Sequence, residues 1–429
     1  MREKAVFIYS YSVKSTKVMS TVLLILRLIS WILLGLTMLY YLWIFFNVLV
    51  SLFINKKKFP EAEAKKAAVL ICARNEENVI ANIINSLNAS DYPKDMFNIF
   101  VVAHNCTDRT ADIARAKGAT VFVRNNPEER KKGDALAYGI DCLLKEYPDE
   151  FDFITVLDAD NEVAKDYLTE MNNALASSGA DVVQGFYDSL NYYETWITEL
   201  SSALWLQTMR CQCMPNSKLG LPCDVLGSGF AFKVSALGGE GWHTETITED
   251  LEFTIQQVLA GHNVVAAPCA VFYSEQVTAL KPALVQRKRW AIGNTECFRR
   301  YSGKIIKAIP KRGKAAVKML LDVLLYPALF ATLVNLILQI ILIPLSGGTP
   351  MGALRFIVIT AIGSWLMVLP LSLILLIKEK KSLLDNMCTV MFFPLTLFVS
   401  MIMSCISVFV RDIDWTPTVH KGEVIDIDE

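Results

Sequence analysis

AAVLICARNEEN, residues 67–78, sets seven apolar residues directly before five polar ones. Seven is too few for a helix core but suits a strand buried on both faces, and the polar residues open a helix-like stretch. The pattern recurs down the chain. NIFVVA (98–103), ATVFVR (119–124) and DFITVLD (152–158) read as strands, with helices over 108–117 and 134–147 between them. Short apolar strands alternating with helices of about ten residues predict an α/β domain with a mostly parallel sheet covered on both faces. Such sheets bind ligands beyond the carboxyl ends of their strands. Polar residues collect there: Arg74, Asn75 and Glu76; His104, Asn105 and Asp108; Asp158 and Asp160.

The flanks are of another kind. Hydrophobic residues make up 53% of the 429, which a soluble domain of this length does not need. Residues 21–54 exceed the roughly 20 apolar residues that cross a bilayer, with no Pro to divide them, so a single tilted helix is expected. NKKKFP (55–60) follows, and basic residues mark the cytoplasmic end. Three more apolar runs lie near 317–345, 353–377 and 387–410, joined by the uncharged SGGTP and the basic KEKK. About four transmembrane helices result, although the run holding MFFPLTL can also begin on the membrane surface. The expected layout is a transmembrane segment (1–56), a cytosolic domain (57–283), an interfacial amphipathic helix (284–314), C-terminal transmembrane helices (315–412) and a tail (413–429).

Composition excludes several classes. A formal net charge of −1 calls for no nucleic acid. The ten cysteines are scattered, no export-type cleavage site follows the N-terminus, and the four histidines are dispersed, so reduced structural thiols are expected and not a zinc site. No GxGxxG follows the first strand and no GxxxxGK[ST] occurs, which argues against a dinucleotide dehydrogenase or a P-loop ATPase.

The carboxylates point toward chemistry. In VLDAD (156–160) the residues Asp158 and Asp160 are i and i+2 at a strand end, so both can face one hard cation such as Mg2+ or Mn2+. An ordinary polar strand exit has the same sequence. TITEDLEFTIQQVLAG (246–261) reads as a helix in which Thr248 caps the first turn and Glu249 and Asp250 suit its positive end. Equally, a carboxylate at a helix start beside a cleft can serve as general base. LGSGFAF (226–232) brings glycines that allow close backbone approach, or simply a turn. In KKGDAL, Lys132 precedes a helix start where phosphate is attracted, while Lys131 suits a solvated face. Gln286, Arg289 and Trp290 of VQRKRWAIGN (285–294) share one helix face, leaving Arg287 and Lys288 for lipid.

Taken in order, ICARNEE, NCTDRT, KGDAL, VLDAD, GSGFAF, ITEDLE and QRKRW resemble the membrane-integrated family 2 glycosyltransferases of GT-A fold, such as bacterial cellulose, hyaluronan, chitin-oligosaccharide and poly-N-acetylglucosamine synthases. The resemblance spans about residues 67–303. It implies that Arg74 and Glu76 line the nucleotide pocket, with Lys132 beside the nucleotide-sugar. Asp158 touches UDP and Asp160 is the main ligand of Mg2+ or Mn2+. Asp250 is the general base and Glu249 shapes the acceptor site, together with Ser228 and Gly229. Gln286 and Arg289 hold the donor diphosphate, and Trp290 stacks on the acceptor sugar. One departure stands out. His104 occupies the place of an Asp that contacts the nucleobase in the family, so base recognition falls to His104, Asn105 or Asp108. In the tail, Trp415, Thr418 and His420 resemble a segment that lies near the family's active site.

The function so implied is inverting transfer from a UDP-sugar to a growing glycan, processive and coupled to translocation. About four spans make a narrow channel, which calls for a homo-oligomer or an accessory subunit. Two alternatives stand beside it: a non-processive transferase acting on a lipid acceptor, and a non-catalytic nucleotide-sugar-binding membrane protein.

Overall fold

The computed structural model describes residues 2–410 apart from 383, and side chains from residue 20 onward apart from 364, 367, 368, 370, 371, 383, 388 and 397. Trp415, Thr418 and His420 lie outside the described residues.

Eight strands form one sheet: β1 (Ala67–Ala73), β2 (Phe97–His104), β3 (Thr120–Arg124), β4 (Phe153–Asp158), β5 (Asn161–Val163), β6 (Val182–Ser189), β7 (Phe230–Lys233) and β8 (Val264–Ser274). Their order is β3-β2-β1-β4-β7-β6-β8-β5. The first four strands pair in parallel, as expected. β6 and β8 are also parallel, while β7 runs against both β4 and β6, and β5 runs against β8. The mostly parallel Rossmann-like sheet foreseen from the first 100 residues of the domain thus continues through an inverted strand. β7 can sit in mid-sheet because Gly229, at φ 65°, turns the chain where a Cβ would overlap the Phe272 ring. Its neighbours are held by the Gly229 carbonyl, which accepts from the Gly185 amide at 2.7 Å.

Helices cover the sheet at Ile80–Asn88, Thr110–Ala116, Lys132–Glu146 and Tyr167–Ser177, the middle two within two residues of their expected limits at every end. The core is continuous through β1, where Ala67, Ala68, Val69, Leu70 and Ile71 are wholly buried. That burial on both faces is why β1 reads as an unbroken apolar run.

All four apolar runs of the flanks are helical: Arg2–Ser51, Leu325–Leu345, Pro350–Lys378 and Met387–Phe409. Among the described residues, three stretches are long and apolar enough to cross a membrane, Ser20–Ser51, Leu325–Leu345 and Thr389–Phe409, and Pro350–Gly363 is a shorter apolar one. The first two lie side by side in opposite directions, joined by Arg27 to Ser346 (2.8 Å), Ser30 to Asn335 (2.6 Å) and Tyr41 to Thr332 (3.2 Å). Glu379, buried after the third helix, pairs with Lys56 at 2.9 Å and with Arg210. Arg210 belongs to a π-helical turn, Met209–Cys213, that continues the helix Trp196–Thr208.

The surface helix expected from 284 begins at Leu280 and runs to Arg312, where Gly313 breaks it. The fourth flanking helix, Met387–Phe409, is tied to the domain at both ends. At its start the Thr389 amide donates to Glu199 at 2.7 Å. At its end Thr295 donates to Ser407 and Arg299 to the Val408 carbonyl, both at 2.9 Å.

Candidate active site

The carboxyl ends of β1, β2 and β4 open into a cavity of about 230 Å³, closed over by the start of the helix Glu249–Ala260 and by the Leu280–Arg312 helix. It gathers Arg74, Glu76, Lys132, Asp158, Asp160, Ser228, Glu249, Asp250, Gln286, Arg289 and Trp290 from six separate stretches of sequence.

One wall is acidic. The Asp158 amide is held by Asn161 Oδ1 and Ser228 Oγ, both at 2.9 Å, which fixes the turn out of β4. Two residues on, Asp160 accepts from the Ser274 hydroxyl at 3.1 Å, across from the end of β8. Burial, and then the charges of Asp160 and Asp158, push the Glu76 carboxyl up to about 9. Three carboxylates so placed concentrate negative charge at the ends of β1 and β4. Among the described residues no group of three or more His, Cys, Asp or Glu forms a metal cage by itself. The all-oxygen donors at Asp158 and Asp160 therefore fit a hard divalent cation that takes its remaining ligands from a bound diphosphate or from water.

Cationic groups face this wall. Lys132, the first residue of the helix Lys132–Glu146, pairs with Asp158 and donates to the Gly227 carbonyl at 2.7 Å. Burial works against its charge, but Asp158 and Glu249 outweigh burial and hold the ammonium above its usual range. Lys131 stays exposed at the rim, its ammonium on the Glu245 carbonyl at 2.5 Å.

Opposite lie Glu249 and Asp250. The capping expected of Thr248 does not occur: its side chain makes no cap bond and faces the Cys297 sulfur instead at 3.6 Å. Glu249, 8% exposed, is pushed up to about 7 by burial and by Asp250. Asp250 is also raised by burial, against the pull of the Leu251 amide (2.8 Å), Lys132 and Arg289. The helix is anchored from below by Glu252, which accepts from the Glu245 and Thr246 amides and from Tyr301.

The third wall is aromatic. Trp290 meets Trp205 edge-on, and Trp205 stacks on Tyr187 at 4.4 Å and 17°.

Three expected residues are not brought to the cavity. Asn105 spends its amide hydrogens on the Asn126 and Glu129 carbonyls, at 2.8 and 2.9 Å. Asp108 caps Thr110 and holds the Glu77 amide. Gly229 is committed to the sheet turn. His104 does line the cavity; it is 3% exposed, its Nε2 lies 2.8 Å from the Glu129 carbonyl, and burial lowers its pKa. Other lining residues escaped the sequence reading: Tyr187, Trp205 and Ser274 to Gln276. The last group was findable, since VVAAPCAVFY is an apolar run ending in Ser-Glu-Gln, the same pattern that marked β1 and β4.

Comparison with known proteins follows this geometry. Over 271 residues the chain is 28% identical to "Probable glycosyltransferase YdaM" of Bacillus subtilis (strain 168), covering 60% of this chain and 61% of that protein. Over 251 residues it is 28% identical to "Beta-monoglucosyldiacylglycerol synthase" of Nostoc sp., covering 56% and 51%. The matched stretch thus spans between half and two thirds of the length of these relatives. The solved structure "Mannosyltransferase PcManGT from Pyrobaculum calidifontis in complex with GDP-Man and Mn2+" shares the fold, with a TM-score of 0.61 at 17% identity over 90% of this chain and 99% of that one. Residues 64–293, more than half of the chain, match the family described as "Glycosyltransferase like family 2", and the chain belongs to that family.

Proposed function

We propose that this protein is an inverting glycosyltransferase that moves a sugar from a nucleoside diphosphate sugar, UDP-linked in the first instance, to a lipid hydroxyl at the cytosolic face of a membrane. One observation carries the reading: an acidic wall (Glu76, Asp158, Asp160), two cations (Lys132, Arg289) and a second carboxylate pair (Glu249, Asp250) line the same cavity.

The roles follow from chemistry. Arg74 and Glu76 border the nucleotide, and Lys132, Gln286 and Arg289 take the diphosphate oxygens. Asp158 and Asp160 would hold Mg2+ or Mn2+, which supplies positive charge beside the departing diphosphate when bound. Asp250 takes the proton from the acceptor hydroxyl, which attacks the anomeric carbon from the face opposite the diphosphate. Arg289 and Lys132 meet the charge that develops on the leaving group. An α-linked donor then gives a β product. Glu249 shapes the acceptor side, with Trp290 as an apolar floor for a sugar ring.

The acceptor is the finer question. Relatives named as glucosyldiacylglycerol synthases favour a single glycolipid product. The growing glycan expected from sequence has its own support in the Trp290, Trp205 and Tyr187 aromatic run, a surface suited to stacked sugars. Purified full-length protein incubated with radiolabelled UDP-sugars and membrane lipid separates the two: one extracted glycolipid supports the first reading, a polymer ladder the second. No release of nucleotide from any donor overturns both and leaves a binding protein. Lys56 to Lys58 after the first apolar helix support the cytosolic placement.

A further inference from the structure

We propose that Gly293 and Tyr301 are positioning residues: they lock the Leu280–Arg312 helix onto the head of the Glu249–Ala260 helix and so hold the Arg289 guanidinium at one fixed distance from the Asp250 carboxylate. This rests on the transferase reading, which gives Asp250 the acceptor proton and Arg289 the departing diphosphate.

Residues 289, 293, 297 and 301 recur at every fourth position, so they form one ridge along their helix. Arg289 is the end of that ridge at the cavity, and Gly293, Cys297 and Tyr301 are buried. Each of the three meets a residue at the head of the facing helix. At Gly293 there is room only for hydrogen, since a Cβ would overlap the Thr248 side chain and lie 2.8 Å from Ile247 Cγ2. The Cys297 sulfur faces the Thr246 and Thr248 hydroxyls at 3.5 and 3.6 Å. Tyr301 donates to Glu252 at 2.6 Å and accepts from Gln256 Nε2 at 3.1 Å. Glu252 is 1% exposed, and its other oxygen takes the Glu245 and Thr246 amides at 2.8 and 2.6 Å. One buried carboxylate thus ties together the turn before Glu249, the helix that carries Asp250 and the helix that carries Arg289.

The far end of the pair is pinned as well. Arg312 Nε donates to the Leu259 carbonyl at 3.0 Å, and a Cβ on Gly261 would overlap the Arg312 guanidinium. Two helices in such close contact, bonded at both ends, cannot slide past one another. The step of about three turns from Tyr301 back to Arg289 is therefore a rigid rod.

The chemistry depends on where that rod ends. Asp250 has Glu249 beside it, Lys132 facing it from the Lys132–Glu146 helix, and Arg289 and the Cys297 thiol facing it from the ridge. With Arg289 drawn too near, the carboxylate is held in an ion pair and becomes a poor base. With Arg289 too far away, burial leaves Asp250 protonated, and the charge growing on the diphosphate meets less compensation. A glycine at 293 and a hydroxyl at 301 set the separation between these extremes.

Kinetics and exchange on the full-length protein test this. Gly293→Ala should lower kcat about tenfold and move the acid limb of its pH profile to higher pH, as Arg289 is pushed away from Asp250. Adding Thr248→Ala, which removes the Thr248 atoms that the new methyl meets, should recover most of both effects. Tyr301→Phe should move the limb in the same direction with a smaller loss of kcat. Met171→Ala, which empties a buried site on the Tyr167–Ser177 helix, should lower thermal stability and leave the limb in place. An unmoved limb in both seam variants, no recovery in the double substitution, or an equal movement in Met171→Ala overturns the proposal. Deuterium exchange needs no donor, so it separates failure here from failure of the transferase reading. Tyr301→Phe should raise exchange about tenfold across both 245–251 and 286–292. A rise confined to one segment, or none, overturns the lock whether or not sugar is transferred. Coupled exchange in a protein that releases no nucleotide faults the transferase reading and upholds the lock.

Discussion

The indole of Trp290 meets that of Trp205 at 5.2 Å between ring centroids and 72° between planes. Trp205 comes from an otherwise ordinary helix, yet it braces the ring to which the proposed function gives the acceptor sugar. Trp205→Ala should raise the acceptor KM by about tenfold, leaving the donor KM unchanged, and Trp205→Phe should recover most of the loss. Steady-state kinetics with each substrate varied in turn check this.

Asp250→Asn should lower kcat by roughly 10²–10⁴ and leave nucleotide binding intact. The pH dependence has a definite sign. Burial raises the Asp250 pKa, and the protonated form cannot accept a proton, so kcat should fall as pH drops through that raised value. Arg289 opposes the rise; Arg289→Ala should therefore move the acid limb of the kcat profile to higher pH, in addition to lowering its plateau.

Chelation of divalent ions should abolish turnover, with recovery on addition of Mn2+ or Mg2+. Asp160→Ala should prevent that recovery at ordinary metal concentrations. Nucleotide diphosphate binding followed by calorimetry should likewise lose its dependence on the metal.

Much of this architecture was legible because it obeys simple rules. β1 is buried on both faces and reads as an unbroken run, and Asp158, Asp160 and Glu76 stand where such runs end. What escaped was set by tertiary pairing. β7 is four residues long and antiparallel, too short to carry a period, and GSGFAF therefore looked like a loop with a ligand-facing glycine. Thr248 has the right identity for a cap, but its hydroxyl finds the Cys297 sulfur, a partner 49 residues away. Asn105 and Asp108 sit at a strand end like the true cavity residues, yet local backbone groups claim them. Trp205 gave no sign, because a Trp on a helix is indistinguishable from packing until its neighbours are known.

Gly229→Ala would place a Cβ into the Phe272 ring at a left-handed backbone position. A loss of about 1–3 kcal/mol of stability is expected from the overlap alone, and more with the backbone strain. Thermal unfolding of the solubilised protein measures it. Because Ser228 holds the Asp158 amide, a residual folded fraction should also bind nucleotide more weakly.

The buried pairing of Glu379 with Arg210 and Lys56 has a practical consequence. Arg210 lies in the body of the catalytic domain, but its counter-charge arrives from beyond the third flanking helix, 169 residues later. A buried guanidinium stripped of its carboxylate costs about 3–5 kcal/mol, a sizeable part of any domain's stability. Cutting the flanking helices away should therefore destabilise the enzyme half, and thermal unfolding of the trimmed chain beside the whole one measures it: the hydrophobic appendages act as a keystone.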